Sequence, residues 1–366
     1  MFKAMLKLLF PSIQNNKKPN YFYYEKDKNT EEETQQQALE KVQRASPVKL
    51  LRLASVEETH CQEFYDFLFG QSLATTQRDE LSHYVADKIE AVLRKPNTII
   101  EAMPVLPASL SKVMDQLSDN NFDTQELINL IQQEPSIAAK VIELANSSFY
   151  NRTNKEVSDL KSAFMLLGSN GLMEGVINGF VSKMTPQAQI YFKQYGNKIW
   201  QHSFGTGVIA KALIKASPYK AEAAQGYLIG LICNLGDMII YQLLMEAFSF
   251  IHPDCQPNSY AFKELMQQKS KKLTYHIAKH WQFPQSILDA LALQVKVTNA
   301  SMLAGVFSKR PIACFVYEAN IISELIMMLE HNDKTEGEIK ESVEILLYSN
   351  EAKQYVERLL VDRVNN

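Results

Sequence analysis

Apolar positions along this chain recur at spacings of three and four wherever they cluster. Leu110, Val113, Met114 and Leu117 fall at i, i+3, i+4 and i+7. That spacing stacks side chains on one face of a helix. Phe64, Phe67 and Leu68 share a face, and so do Leu81, Tyr84, Val85, Lys88 and Ile89 with Leu93, which predicts two helices between Val56 and Leu93. Asp123 stands three residues before Glu126, the form of a capping box, ahead of Leu127, Ile128, Leu130 and Ile131. Pro135 suits the first turn of a helix carrying Ile137, Val141, Ile142 and Leu144. A helix from about Ser158 buries Phe164 and Leu167 and stops at Gly168, and Ser169 can cap the next, with Leu172, Val176 and Phe180 inward. The pattern predicts further helices over 198–216, 222–232, 236–250, 259–281, 284–294 and 310–330, and two more between Glu336 and Val364. No stretch alternates as a strand would, and no solenoid-period repeat is present. The expected fold class is all-α.

The exception to this periodicity is the stretch 15–46. Asn15 to Asn20 is turn-rich, and Glu31 to Gln37 is polar with nothing to bury, so it reads as a linker or a solvated helix. The expected organisation is an arm and linker over 1–55, partly disordered; a helical extension over 56–97; a main helical unit over 98–300; and C-terminal helices over 301–366 that complete or flank it. Prolines 96, 104 and 107 fix bends that favour packing the extension onto the main unit.

Composition narrows the function. Hydrophobic residues make up 46% of 366, enough for a full core. With 38 basic and 41 acidic residues the net charge is -3, which argues against a protein that holds nucleic acid by neutralising phosphates. Lys269, Lys271 and Lys272 read as a solvated helix end. Cys61, Cys233, Cys255 and Cys314 have no paired spacing, which suggests free thiols and a cytoplasmic location. No transmembrane segment is expected, since no stretch approaches ~18 consecutive apolar residues. Met1 to Phe10 is apolar and mildly basic and reads as an arm docked on its own protein, with a membrane-surface helix as the alternative.

The most specific motifs begin at Leu106-Pro107 and continue through Glu134-Pro-Ser-Ile-Ala138 to Ala145-Asn146-Ser147-Ser-Phe149-Tyr150. Ala163-Phe-Met-Leu-Leu-Gly168 and Trp200-Gln-His202-Ser203 follow. Over about 98–295 the chain resembles the HD-related output domain (HDOD) family of bacterial signalling proteins, with Asn146, Ser147, Phe149, Tyr150 and Gly168 as its signature. The resemblance implies an HD-like helical bundle related to the HD metal phosphohydrolases. In active relatives a His, an adjacent His-Asp pair and a later Asp ligate the metal. Carried over one at a time, these positions are His202, which is kept, then Cys233 and Asn234, then a position near Asn320. The His-His pair of the related cyclic-dinucleotide hydrolases would fall near Leu293-Gln294.

Such a site needs imidazoles and carboxylates, because carboxylates offset the cation's charge. The resemblance therefore implies vestigial metal positions at His202, Cys233, Asn234 and Asn320, with no metal and no cofactor. Asp237 and Trp200 are expected beside the old pocket, Cys233 as a small buried residue, and Asp237 as the cap of the following helix. A rebuilt site of His202, Cys233 and Asp237 is the less favoured alternative. His276 and His280 have ligand spacing but no acidic companion, and are expected to be exposed or capping. Gly175 and Gly179 read as a close helix–helix approach. No phosphate-binding glycine loop or serine-hydrolase elbow is present. The implied function is a non-catalytic output or scaffold module whose partners are other signalling proteins. A sensor of a small nucleotide messenger in the old pocket is the first alternative, and a residual phosphohydrolase the second.

Overall fold

The computed structural model describes residues 55–71, 80–101, 124–132, 135–147, 150–151, 156–183, 190–251 and 259–364. The expected arm over 1–54, the helix at Leu110 to Leu117, the Asp123 cap, Phe149 and Cys255 lie outside them. The described residues form α-helices and two short 3-10 turns, with no strand among them.

The described residues begin with α1 (Val56–Phe69), α2 (Glu80–Leu93) and α3 (Pro96–Glu101). Then come α4 (Thr124–Gln132), α5 (Pro135–Ala145), α6 (Leu160–Lys183) and α7 (Ile190–Ala216). The chain continues with α8 (Ala223–Ile232), α9 (Leu235–Ile251), α10 (Tyr260–His280) and α11 (Gln285–Lys296). It ends with α12 (Pro311–Glu330), α13 (Glu336–Leu346) and α14 (Asn350–Val364). The all-α expectation holds, and from residue 222 onward the expected helices match to within two residues at each end.

Local chemistry accounts for several ends. Ser55 caps α1: its hydroxyl accepts from Glu58 N, and the Glu58 carboxylate accepts from Ser55 N. Thr335 and Glu338 do the same for α13. Gly168 lies at φ 67° and splits α6 where a stop was expected.

The long α7 packs between α8 and α12, α5 lies along α6, and α9 pairs with α10. Gly175 and Gly179 permit the α5–α6 contact. A Cβ on Gly179 would stand 3.1 Å from the Ile137 backbone, and one on Gly175 3.1 Å from that of Val141. The extension packs on the bundle, α2 against α10 and α9, and α1 against α7, α10, α12 and α13. Val85 and Ile89 are buried as the pattern predicts, but Tyr84 is 42% exposed. Its place at the edge of the apolar stripe leaves the ring over Lys88 Nζ, 5.4 Å from the ring centre.

Apolar content was underestimated in two places. Residues 220–247 and 311–330 are apolar enough, by composition, to cross a membrane. Yet 94% and 78% of those windows are buried inside the bundle, and the first is broken by the turn at Cys233 and Asn234. They are core helices.

Candidate functional site

The turn between α8 and α9 carries the expected Cys233–Asn234 pair, and packing fixes its shape. Thr274 of α10 clamps it: its hydroxyl accepts from Gly236 N at 2.8 Å and donates to Cys233 O at 3.2 Å. Gly236 is required here, since a Cβ would lie 1.9 Å from the Ser270 carbonyl oxygen. The turn is thus seated on α10, which aims Asn234 and Asp237 at one cavity.

Helix α12 meets the turn from the other side. Asn234 Nδ2 donates to Asn320 Oδ1 at 3.0 Å, and the Cys233 thiol lies 3.7 Å from the same oxygen. Asn320 Nδ2 donates to Glu324 Oε1 at 2.6 Å, one helical turn further on. His202 of α7 sits beside them, its Nε2 3.7 Å from Glu324 Oε1 and its Nδ1 3.0 Å from Ser323 Oγ. His202, the Cys233–Asn234 pair and Asn320, far apart in sequence, are therefore neighbours. Gln294 lines the same cavity, where its Nε2 donates to Ala313 O at 2.9 Å.

Trp200 is corrected. It does not line the cavity but packs near Phe204 at 6.3 Å between ring centres. Two residues along a helix turn a side chain through roughly 200°, so Trp200 and His202 face opposite ways on α7. Asp237 does line the cavity, but not as a cap. It lies in the first turn of α9, and its Oδ1 accepts from the Tyr65 hydroxyl at 2.7 Å.

Tyr65 belongs to α1, and here the sequence reading missed most. Helix α1 forms a wall of the cavity. His60 Nε2 is 2.7 Å from Glu324 Oε2, and the Phe64 ring stands 4.8 Å from the His202 ring. Lys198 bonds the Phe67 carbonyl at 2.8 Å, and Lys334 pairs with Glu63 at 2.6 Å. Glu324 had a sequence signal, its i+4 spacing from Asn320. His60 had none, because its partner lies 264 residues away.

Burial governs the electrostatics. It drives the His202 imidazole down to about 4, against the pull of Glu324, so the ring is neutral. It pushes the Asp237 carboxyl up to about 6, although hydrogen bonds from Tyr65 and Ser270 oppose the rise. Burial also raises the Cys233 thiol far above its ordinary range, and it stays protonated. Glu324 is raised by burial too, but the hydrogen bond and charge of His60 outweigh that and hold it below the usual carboxylate value. The cavity volume is about 150 Å³. No cluster of three or more His, Cys, Asp or Glu among the described residues is arranged to hold a metal ion. His276 is half-buried and His280 exposed.

The signature residues build a different place. Asn146 Nδ2 donates to Ile142 O and Val157 O, and Asn146 Oδ1 accepts from Val157 N at 2.8 Å, tying the end of α5 to the chain entering α6. Ser147 Oγ donates to Leu144 O at 2.7 Å. The Tyr150 hydroxyl donates to Glu174, which pairs with Lys211, and Lys211 bonds back to Tyr150 at 2.8 Å. These are joints between α5, α6 and α7, and none of them lines the cavity.

Fold and site together define an all-α helical bundle with a partly open cavity at the α8–α9 turn, lined by both apolar and polar side chains. The chain belongs to the HDOD domain family, whose HDOD domain is matched over residues 103–297. An HDOD domain protein of unknown function from Geobacter sulfurreducens has the same fold, with a TM-score of 0.54 and 20% identity over 76% of this chain and 96% of that one. An uncharacterized Treponema pallidum (strain Nichols) protein is 20% identical over 229 residues. That match covers 62% of this chain and 42% of the relative, so the chain spans less than half of that protein's length. Helices α1 and α12, which supply His60, Tyr65, Asn320 and Glu324, lie outside the matched segment.

Proposed function

We propose that this chain is a non-catalytic module of a bacterial signalling pathway and acts by contact with other proteins. One observation carries the reading: every donor at the positions where active relatives hold a metal is neutral or already committed. Asn234 and Asn320 are amides bonded to each other. The Cys233 thiol donates to Gly230 O and faces Asn320 Oδ1. His202 offers one nitrogen, toward Glu324, a carboxylate already bonded by His60 and Asn320. A divalent cation needs several anionic or imidazole donors around one point, so this set does not fit one. The rebuilt alternative fares no better, because the Asp237 carboxylate is turned to Tyr65 and rises with burial.

The nucleotide-sensor reading is weakened by size. About 150 Å³ is well below the ~300–1,000 Å³ of ordinary ligand pockets. The module reading keeps what the bundle retains, its signature joints and close helix contacts, and asks no chemistry of the cavity. Hydrolysis of a cyclic dinucleotide and of bis-p-nitrophenyl phosphate in added manganese tests it. The rate is expected to equal that of buffer. Turnover that disappears in His202→Ala would overturn the reading. A rise in melting temperature with the nucleotide alone would favour the sensor.

A further inference from the structure

The cavity is lopsided in charge. Three carboxylates line it, Glu57, Asp237 and Glu324, against one ammonium, that of Lys271. Counting the His60 ring as a cation leaves the balance negative. Glu57 and Asp237 make no ion pair among the described residues. Lys271 is exposed and makes none either; its Nζ lies 5.9 Å from the centre of the Tyr317 ring.

The polar atoms left over in the wall accept hydrogen bonds. Glu324 is held ionised, and a carboxylate only accepts, so it orients the Asn320 amide with Nδ2 toward itself. Asn320 Oδ1 in turn orients Asn234, whose Nδ2 donates to it. That order leaves Asn234 Oδ1 unbonded, on a residue that is 7% exposed and lines the cavity. Tyr317, 6% exposed, lines it too, and its hydroxyl has no hydrogen-bond partner among the described residues. Much of the remaining wall is apolar: Phe64, Leu68, Ile199, Ile321 and Leu346. A bare metal ion gains nothing from such a wall, whereas a hydrocarbon body does. About 150 Å³ is room for a molecule the size of benzene, about six heavy atoms.

We infer that this cavity is a binding site for a small organic ammonium ion with a hydrocarbon body of a few carbons. Its N–H groups donate to Asn234 Oδ1, the carboxylates balance its charge, and the apolar side chains cover its body. The Tyr317 ring adds the attraction of an aromatic face for a cation. The inference deepens the module reading by naming the class of ligand that the cavity takes. A negative hydrolysis result leaves it untouched, and its failure leaves the metal argument standing.

Titration of butylammonium chloride into the full chain at constant ionic strength, followed by saturation-transfer NMR, tests it. Saturable binding in the millimolar range is expected, with none by butan-1-ol or by butyrate, which carry the same length of chain without charge or with the opposite one. Glu57→Gln should weaken binding roughly two- to fivefold, and Lys271→Gln should strengthen it by a similar factor. Neither side chain makes a hydrogen bond or ion pair among the described residues, so both variants are expected to fold. Equal binding by butan-1-ol would mean that the cavity takes apolar bodies whatever their charge, and would overturn the inference. So would binding of butyrate that is lost in Lys271→Gln, no saturable binding of butylammonium, or butylammonium binding unchanged in both variants.

Discussion

His202 and Asp237 share one cavity and respond to acid with opposite signs. The folded state lowers His202 from 6.5 to about 4. A lowered imidazole contributes stability that is complete above pH 6.5 and is lost as pH falls toward 4. Asp237 is raised from 3.8 to about 6. A raised carboxyl contributes stability that is complete below 3.8 and is lost as pH rises through 6. At about 1.4 kcal/mol per tenfold change in proton affinity each is on the order of 3 kcal/mol, so they nearly cancel between pH 4 and 6. Asp237→Asn should leave the His202 effect exposed, with stability climbing steeply from pH 4 to 6.5 in urea titrations. His202→Gln should expose the reverse slope, falling from pH 4 to 6. Parallel profiles for the two variants would refute the assignment. Tyr65→Phe removes a donor from buried Asp237. It should cost ~1–3 kcal/mol and move the Asp237 carboxyl above 6, read as a later midpoint in the same titration.

At the scale of elements, glycines separate positions where helices touch from positions where they do not. Gly236→Ala forces a methyl onto the Ser270 carbonyl, a backbone atom that cannot rotate away, and should reach or exceed the top of the ~1–3 kcal/mol range for overpacking. Gly179→Val should fall within that range, because it presses on the Ile137 backbone. Gly305→Ala meets nothing within 4 Å and should stay within ~0.5 kcal/mol. Thermal melts of the three, ranked in any other order, would contradict the packing described. The same helices show what a sequence carries. Ile137, Val141, Val176 and Phe180 are buried where the three-and-four spacing puts them, because that spacing reports which face meets the core. It does not report against what. The start of α7 at Ile190, eight residues ahead of the expected 198, carries the polar Lys193, Gln194 and Asn197, which hide the apolar period. Cys233, Asn234 and Asn320 were legible only through the resemblance. The contacts of His60 and Tyr65 were not legible at all, being set by how α1 lies across α12 and α9.

For the whole molecule, the cavity joins segments from both ends of the described chain. The HDOD match ends at 297, yet Glu324 and Asn320 come from α12 and His60 from α1. The extension is thereby part of the cavity's wall rather than a separate attachment, and Asn234 and Asn320 bond one another. The central claim is that no metal resides there. Metal content of the purified full-length chain, by mass spectrometry after dialysis against manganese and zinc, tests it most directly. The account predicts well under one equivalent, unchanged in His202→Ala. Close to one equivalent in the native chain, lost in His202→Ala, would contradict it.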